Sequence, residues 1–304
     1  MNETGRTDSE TGNSMSPCLV GWFDILGFKA IMESNTSESQ LAEIGNKLTE
    51  GLHDAIQIPE KTLHAIHGLP SCSAEVKTLV EYFKADNCFK CYSMSDTIVF
   101  IARTDVLSRL SPANRDVLIY GVVCAFFFKA CALIAHKMFI TGLPVRGAID
   151  YGQCFIKKND ATTDPFVMLG EPFRNAYLIS ESLEFSGVVV HKRAMEIHEK
   201  VKSVHADIKA GSTHSIYRIP TPMKGNPNAV ENCLDWISND LLGPGSPDLR
   251  DILTDVFSRF GKHITPEIAT KFNNTEMSIR TLMMARNREM ATKKEAVERL
   301  EKSL

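Results

Sequence analysis

The sequence predicts an α+β fold, an α/β sandwich whose helices cover a mainly antiparallel sheet, with a helical extension at its C-terminal end. Three observations carry this. Short apolar runs bounded by turn residues alternate with stretches of helical periodicity, in the order strand, helix, hairpin, helix, strand. Residues 90–100, KCYSMSDTIVF, read as two short strands hinged at Ser93-Met94-Ser95, with Asp96 at the mouth of the hairpin. From about residue 228 the pattern turns helical.

Residues 1–16 are polar and without periodicity, so a disordered lead-in is expected there. The run 19–24 is short and apolar and ends at a turn containing Gly27, which makes it a buried strand. Leu41, Ile44, Leu48, Leu52 and Ile56 recur at helical spacing and place a first helix over 37–57. Residues 58–83, with Pro59 and Gly68-Leu69-Pro70, read as a linker or insertion before the hairpin.

Pro112 opens and Thr141-Gly142-Leu143-Pro144 closes a long buried helix over 112–140. Its run 117–135 resembles a membrane span, but Lys129 interrupts it. The unbroken part, 117–128, falls short of the ~20 residues a bilayer requires. No membrane is expected. A strand over 145–152, a loop over 157–164, a strand over 166–170 and a helix over 172–183 follow. A strand at 188–190, a helix over 192–202 and a strand over 215–219 complete one domain, 17–220. After a Pro/Gly/Asn-rich connector, helices are expected over 230–242, 247–260, 266–272 and 276–304, an extension covering 228–304.

At 304 residues and 43% hydrophobic, the chain can bury a full core. A net charge of −3 removes the basic footprint of a dedicated nucleic-acid binder. The eight cysteines are scattered, several inside apolar runs, which is reduced, cytoplasmic usage. Cys88 and Cys91 have no second pair and read as strand alternation. His64 with His67, and His191 with His198, read as surface or half-buried residues rather than ligands, and no nucleophile-elbow, HExxH or Walker-type motif is present.

The chemistry therefore concentrates on two carboxylates. Asp24 ends the first strand and Asp96 sits in the hairpin; carboxylates from adjacent strand ends suit hard divalent cations through oxygen. Amides of the turn at Gly27 suit a phosphate. Arg146, opening a later strand, is a candidate phosphate ligand or the partner of a carboxylate such as Asp150.

The series Phe23-Asp24-Ile25-Leu26-Gly27-Phe28, Ser95-Asp96, Leu143 to Ile149 (LPVRGAI) and Leu169-Gly170-x-x-Phe173-x-x-Ala176 resembles the class III nucleotide cyclases. That resemblance covers about residues 17–200 and implies a ferredoxin-like cyclase fold and a head-to-tail homodimer with composite active sites. It further implies that Asp24, Asp96 and the carbonyl of Ile25 hold two Mn²⁺ or Mg²⁺ ions, and that amides of Leu26, Gly27 and Phe28 cradle phosphate.

Two departures inform the substrate. Adenylate cyclases resemble one another in a lysine, and guanylate cyclases in a glutamate, where this chain has Tyr92; an aspartate often found at a later position is Val167 here. The aromatic fills space that a purine would take and keeps one hydroxyl for a smaller base, which is similar to the pyrimidine cyclases of bacterial Pycsar anti-phage systems. The implied reaction turns UTP, or next CTP, into a 3′,5′-cyclic monophosphate read by a cyclic-nucleotide-binding effector. Alternatively Tyr92 only packs against the sheet and the site takes ATP. The family's Asn-x-x-x-Arg pair is replaced by Arg174 and Leu178, with Asn175 displaced by one. Arg174 and Asn175 are the candidates to stabilise the transition state. Their irregular placement leaves open a cyclase-like module that binds nucleotide without turnover. No late phosphate-binding lysine stands out in the sequence.

Overall fold

The computed structural model describes residues 13–67, 88–105, 119–158, 165–207, 215–237, 241, 247–263 and 265–303. Strand β1 (Asn13–Ile25) lies between β3 (Thr97–Arg103) and β4 (Val145–Lys158), antiparallel to both. On β3's other edge lies β2 (Phe89–Met94). On β4's, β5 (Pro165–Gly170) pairs with the far half and β6 (Gly187–Val190) with the near half. Beyond β6 come β8 (Val230–Leu234) and β7 (Ile216–Pro220). Among the described residues all eight strands form one sheet, and only the β4–β6 pairing is parallel.

Side chains alternate across a strand, and β1 sorts them between two cores. Leu19, Phe23 and Ile25 enter the main core, while Cys18, Val20 and Trp22 join a smaller cluster with Val99, Ile101, Cys154, Ile156 and Phe173 on the opposite face. Asp24 shares the parity of Trp22 and therefore this second face.

Helix α1 (Phe28–Ser34) follows the Gly27 turn, and α2 (Glu38–His67) packs on α3 (Ala125–Ile140). Helix α3 fills the main core: Phe127, Cys131, Ile134, Met138 and Phe139 are fully enclosed, while Lys129 reaches solvent. Its apolar stretch, long enough to cross a membrane, is thus used as the central helix of a sheet–helix core. Burying each such side chain contributes roughly 1.5–3 kcal/mol. On the second face lies α4 (Glu171–Ser182), with Phe173 in the small cluster and Tyr177 edge-on to Trp22 at 5.5 Å. Helix α5 (Lys192–Asp207) follows β6; α6 (Leu249–Ser258), a short 3₁₀ turn (Arg259–Gly261) and α7 (Pro266–Ser303) end the chain.

Several elements differ from expectation. The strand begins at Asn13, because residues 13–16 pair with β4 down to Lys157. The first helix runs through Pro59 to His67; the remainder of the expected insertion lies outside the described residues. A π-helical turn (Ile119–Cys124) precedes α3, and the expected helix start at 112 lies outside the described residues. The segment expected as helix over 230–242 opens as β8, because pairing with β7 and with Val189 of β6 outweighs its helical spacing. Helix α7 runs unbroken where two helices were expected: Thr275 returns its hydroxyl to the Lys271 carbonyl and accepts the Ser186 amide.

Candidate active site

At one end of the sheet three loops meet. The β2–β3 turn is tight, with Met94 paired to Thr97, so Asp96 is part of the turn itself and Ser95 takes a left-handed φ of 58°. The Ile25 amide donates to the Asp96 carbonyl at 2.8 Å, and the Leu26 amide donates to the Pro144 carbonyl at 2.8 Å. These bonds tie the end of β1 to the hairpin and to the loop before β4. Gly27 turns the chain into α1 at φ 74°, a conformation that side chains with a Cβ rarely adopt. Since the Leu26 amide is already used, the turn amides left to face a phosphate are those of Gly27 and Phe28.

Asp24 pairs in register with Thr97 on one side and Arg146 on the other. Arg146 is buried, and its Nε and Nη2 both lie 2.7 Å from Oδ2 of Asp24, leaving Oδ1 outside the fork. The same guanidinium reaches Glu181 at the end of α4, with Nη2 at 2.6 Å from Oε1 and Nη1 donating to the Glu181 carbonyl at 3.0 Å. So Arg146 pairs with Asp24 and Glu181 and not with Asp150. Burial raises the Asp24 carboxyl above its ordinary range; Arg146 opposes this, and the charges of Asp96 and Glu181 add to it. A pair of oxygen donors crowded in this way is suited to a hard divalent cation. Among the described residues no group of three His, Cys, Asp or Glu side chains forms a fuller metal site.

Tyr92 faces the second core beside Trp22 and Met168. Tyr92 pairs with Val99 and Val99 with Trp22, so Tyr92 lies one row of the sheet below Asp24, roughly 12 Å away by strand spacing. Other sequence candidates are not brought to Asp24 within one chain. Val167 pairs with Lys157, at the far half of β4. Arg174 is exposed on α4. Asn175 donates to Asp150 Oδ2 at 3.1 Å, and the fully buried Asp150 also receives His191 Nδ1 at 2.8 Å and the Arg193 guanidinium. His198, expected at the surface or half-buried, is instead buried edge-on to Phe128, and Cys91 lies on β2 with its thiol pushed up to about 12 by burial.

Two residues escaped the sequence reading, Glu181 on the Arg146 guanidinium and Lys262. Lys262 is buried with its stem against the Gly27 turn: a Cβ on Gly27 would meet its Cδ at 3.6 Å, and its Nζ donates to the Gly142 carbonyl at 2.9 Å. The segment that carries it also donates from Arg259 to the Ile140 carbonyl and accepts from Asn35 at Phe260, so it straps both loops beside Asp24. Nothing local in the sequence marks it. Burial, and secondarily the charge of Arg259, lower its pKa to about 8. The unfolded chain keeps that proton up to about 10.5, so between pH 8 and 10.5 stability rises with pH relative to a chain lacking the group. Lys262→Met is expected to melt higher than wild type at pH 7, by on the order of 2 kcal/mol, and to lose that lead by pH 10. Thermal unfolding at the two pH values checks this; a gap independent of pH would exclude a buried ammonium.

No protein-family model matches the chain, and no curated protein does. Solved structures resemble it at low identity. The adenylyl cyclase CyaB from P. aeruginosa is 14% identical over 73% of this chain and 94% of that one, with a TM-score of 0.37. A bacterial light-regulated adenylyl cyclase is 9% identical over 81% and 99%, at 0.40. The catalytic core of a rhodopsin-guanylyl cyclase with converted specificity, in complex with ATPalphaS, is 12% identical over 74% and 98%, at 0.37. Likenesses this distant add nothing to the chemistry of the site.

Proposed function

We propose that the chain is a metal-dependent nucleotide cyclase that converts a pyrimidine triphosphate, UTP ahead of CTP, to the 3′,5′-cyclic monophosphate and pyrophosphate. The observation that supports it most is the meeting of Asp24 and Asp96 at hydrogen-bonded strand ends beside the Gly27 turn. Asp24, Asp96 and the Ile25 carbonyl would hold two Mn²⁺ or Mg²⁺ ions, whose chemistry is to acidify the ribose 3′-hydroxyl and neutralise the triphosphate. The Gly27 and Phe28 amides face the phosphates, and Leu26 fixes the turn through Pro144. Arg146 supplies a guanidinium for phosphate oxygens.

Tyr92 reads the base, its ring filling the space of a purine's second ring and its hydroxyl offering one hydrogen bond. Val167, Arg174 and Asn175 lie away from Asp24 in the same chain and are assigned to a composite site made with a second copy in a homodimer. By resemblance to the Pycsar cyclases, the product is a second messenger of anti-phage defence, read by a cyclic-nucleotide-binding effector.

The test is to incubate the purified protein with Mn²⁺ and ATP, GTP, CTP or UTP separately and identify products by mass spectrometry. A cyclic pyrimidine nucleotide is expected, and Tyr92→Ala should shift the ratio of UTP to ATP use toward ATP by about tenfold, the scale of one lost specific contact. Cyclic AMP or GMP from the wild type would remove Tyr92 as selector and keep the cyclase. The bond from Asn175 to Asp150 favours one other reading, a module that binds nucleotide without turnover. In that case Mn²⁺ with nucleotide raises the Tm and no product forms.

A further inference from the structure

The position of Arg146 has a consequence beyond phosphate binding. Two of its nitrogens lie on Oδ2 of Asp24, so a cation held by that carboxylate, even through Oδ1, would sit beside the guanidinium, and like charges so close repel. The guanidinium is not held by Asp24 alone. Glu181 takes Nη2 at 2.6 Å, and the Glu181 main-chain carbonyl takes Nη1 at 3.0 Å. Arg146 therefore has a second carboxylate ready, on a different element, with one bond to it already made and another to the main chain of the same residue.

We propose that Arg146 is the resident counter-ion of Asp24 in the cation-free protein, and that Glu181 is a positioning residue that retains Arg146 when a divalent cation displaces it from Asp24. The inference rests on the cyclase reading, because it takes Asp24 as a cation ligand. Arg146 places a positive charge against the half-buried Asp24 carboxylate before any cation arrives. Once displaced, Arg146 stays beside the site on Glu181, with its Nε edge released from Asp24 and open to an anionic ligand. Glu181 thereby lowers the cost of the exchange without touching cation or substrate.

The two residues are thus expected to affect cation binding in opposite directions. Removing Arg146 removes the competitor, and removing Glu181 leaves Arg146 with Asp24 as its one carboxylate. Binding of Mn²⁺ to nucleotide-free protein, followed by the loss of the free-ion electron paramagnetic resonance signal, reads this without turnover. Arg146→Gln is expected to bind Mn²⁺ roughly tenfold tighter than wild type and Glu181→Gln roughly threefold weaker. In the double variant the Glu181→Gln effect should vanish, since there is no guanidinium left to retain.

A Glu181→Gln loss that persists in the Arg146→Gln background would make Glu181 a direct cation ligand and overturn the exchange. So would an Arg146→Gln protein that binds Mn²⁺ no tighter than wild type. Should Arg146→Gln fail to fold, Arg146→Lys takes its place in the double variant, and unchanged Mn²⁺ affinity in Glu181→Gln still overturns the proposal. Failure of the underlying reading looks different: neither wild type nor any variant would then bind Mn²⁺, and that result overturns both.

Discussion

On the proposed cyclase reading, Asp96→Ala is expected to lower turnover by at least about a thousandfold while leaving the fold intact, the scale of losing one of two carboxylates proposed to fix the cations of an in-line displacement. The side chain sits in a two-residue turn and is half-buried, so its removal opens no core cavity. The structural service of Asp96 is its main-chain carbonyl, which accepts the Ile25 amide, and alanine keeps that carbonyl. Activity and stability should therefore separate: the melting temperature stays within a degree or two, and cyclic nucleotide disappears. Product yield by mass spectrometry beside a thermal melt checks both. An Asp96→Ala protein that retained turnover would end the two-carboxylate mechanism.

Gly147→Val is expected to have the largest effect on stability. A Cβ at residue 147 would lie 2.5 Å from Cδ1 of Phe23 and 3.0 Å from the Trp22 main-chain oxygen. Phe23 is fully buried in the central strand, and Gly147 pairs with it directly across β1 and β4. A valine could fit only by forcing these strands apart or driving Phe23 out of its rotamer. A cost of about 3–4 kcal/mol follows, or roughly 10 °C in Tm for a chain of this size. Phe23→Leu in the same chain should recover part of the loss, although it is destabilising alone. If the two changes simply added, the close approach of Phe23 to Gly147 would not be what excludes a side chain.

The parts of this molecule legible in its sequence are those whose physics is local. The hairpin over 90–100 and the Gly27 turn announce themselves within a few residues through apolar runs and turn chemistry, and they bring Asp96 to the end of β1. Parity along β1 is not legible in the sequence, because apolar residues fill both faces: Cys18, Val20 and Trp22 alternate with Leu19, Phe23 and Ile25. What escaped depends on distant partners. Val230 and Leu234 carry a spacing that suits a helix, and only an open strand edge at β6 and β7 makes them a strand. Asn175 and Arg174 are adjacent in sequence, yet one is drawn to the buried Asp150 and the other faces solvent. Lys262 reaches the Gly27 turn from the other end of the chain.

Helix α7 sets a practical boundary for anyone who wishes to shorten or fuse this protein. Phe272, Ile279 and Leu282 are core residues, Arg286 clasps Asp235 and the Ile237 carbonyl, and Glu289 accepts from the Tyr217 hydroxyl at 2.6 Å. A cut before residue 289 would strip cover from β7 and β8 and unravel the sheet from that edge. Beyond it, the ion pairs Lys294–Glu298 and Arg299–Glu295 run along the helix itself. A reporter or affinity handle joined after residue 289 would leave the clasp whole and keep its bulk far from the Gly27 turn.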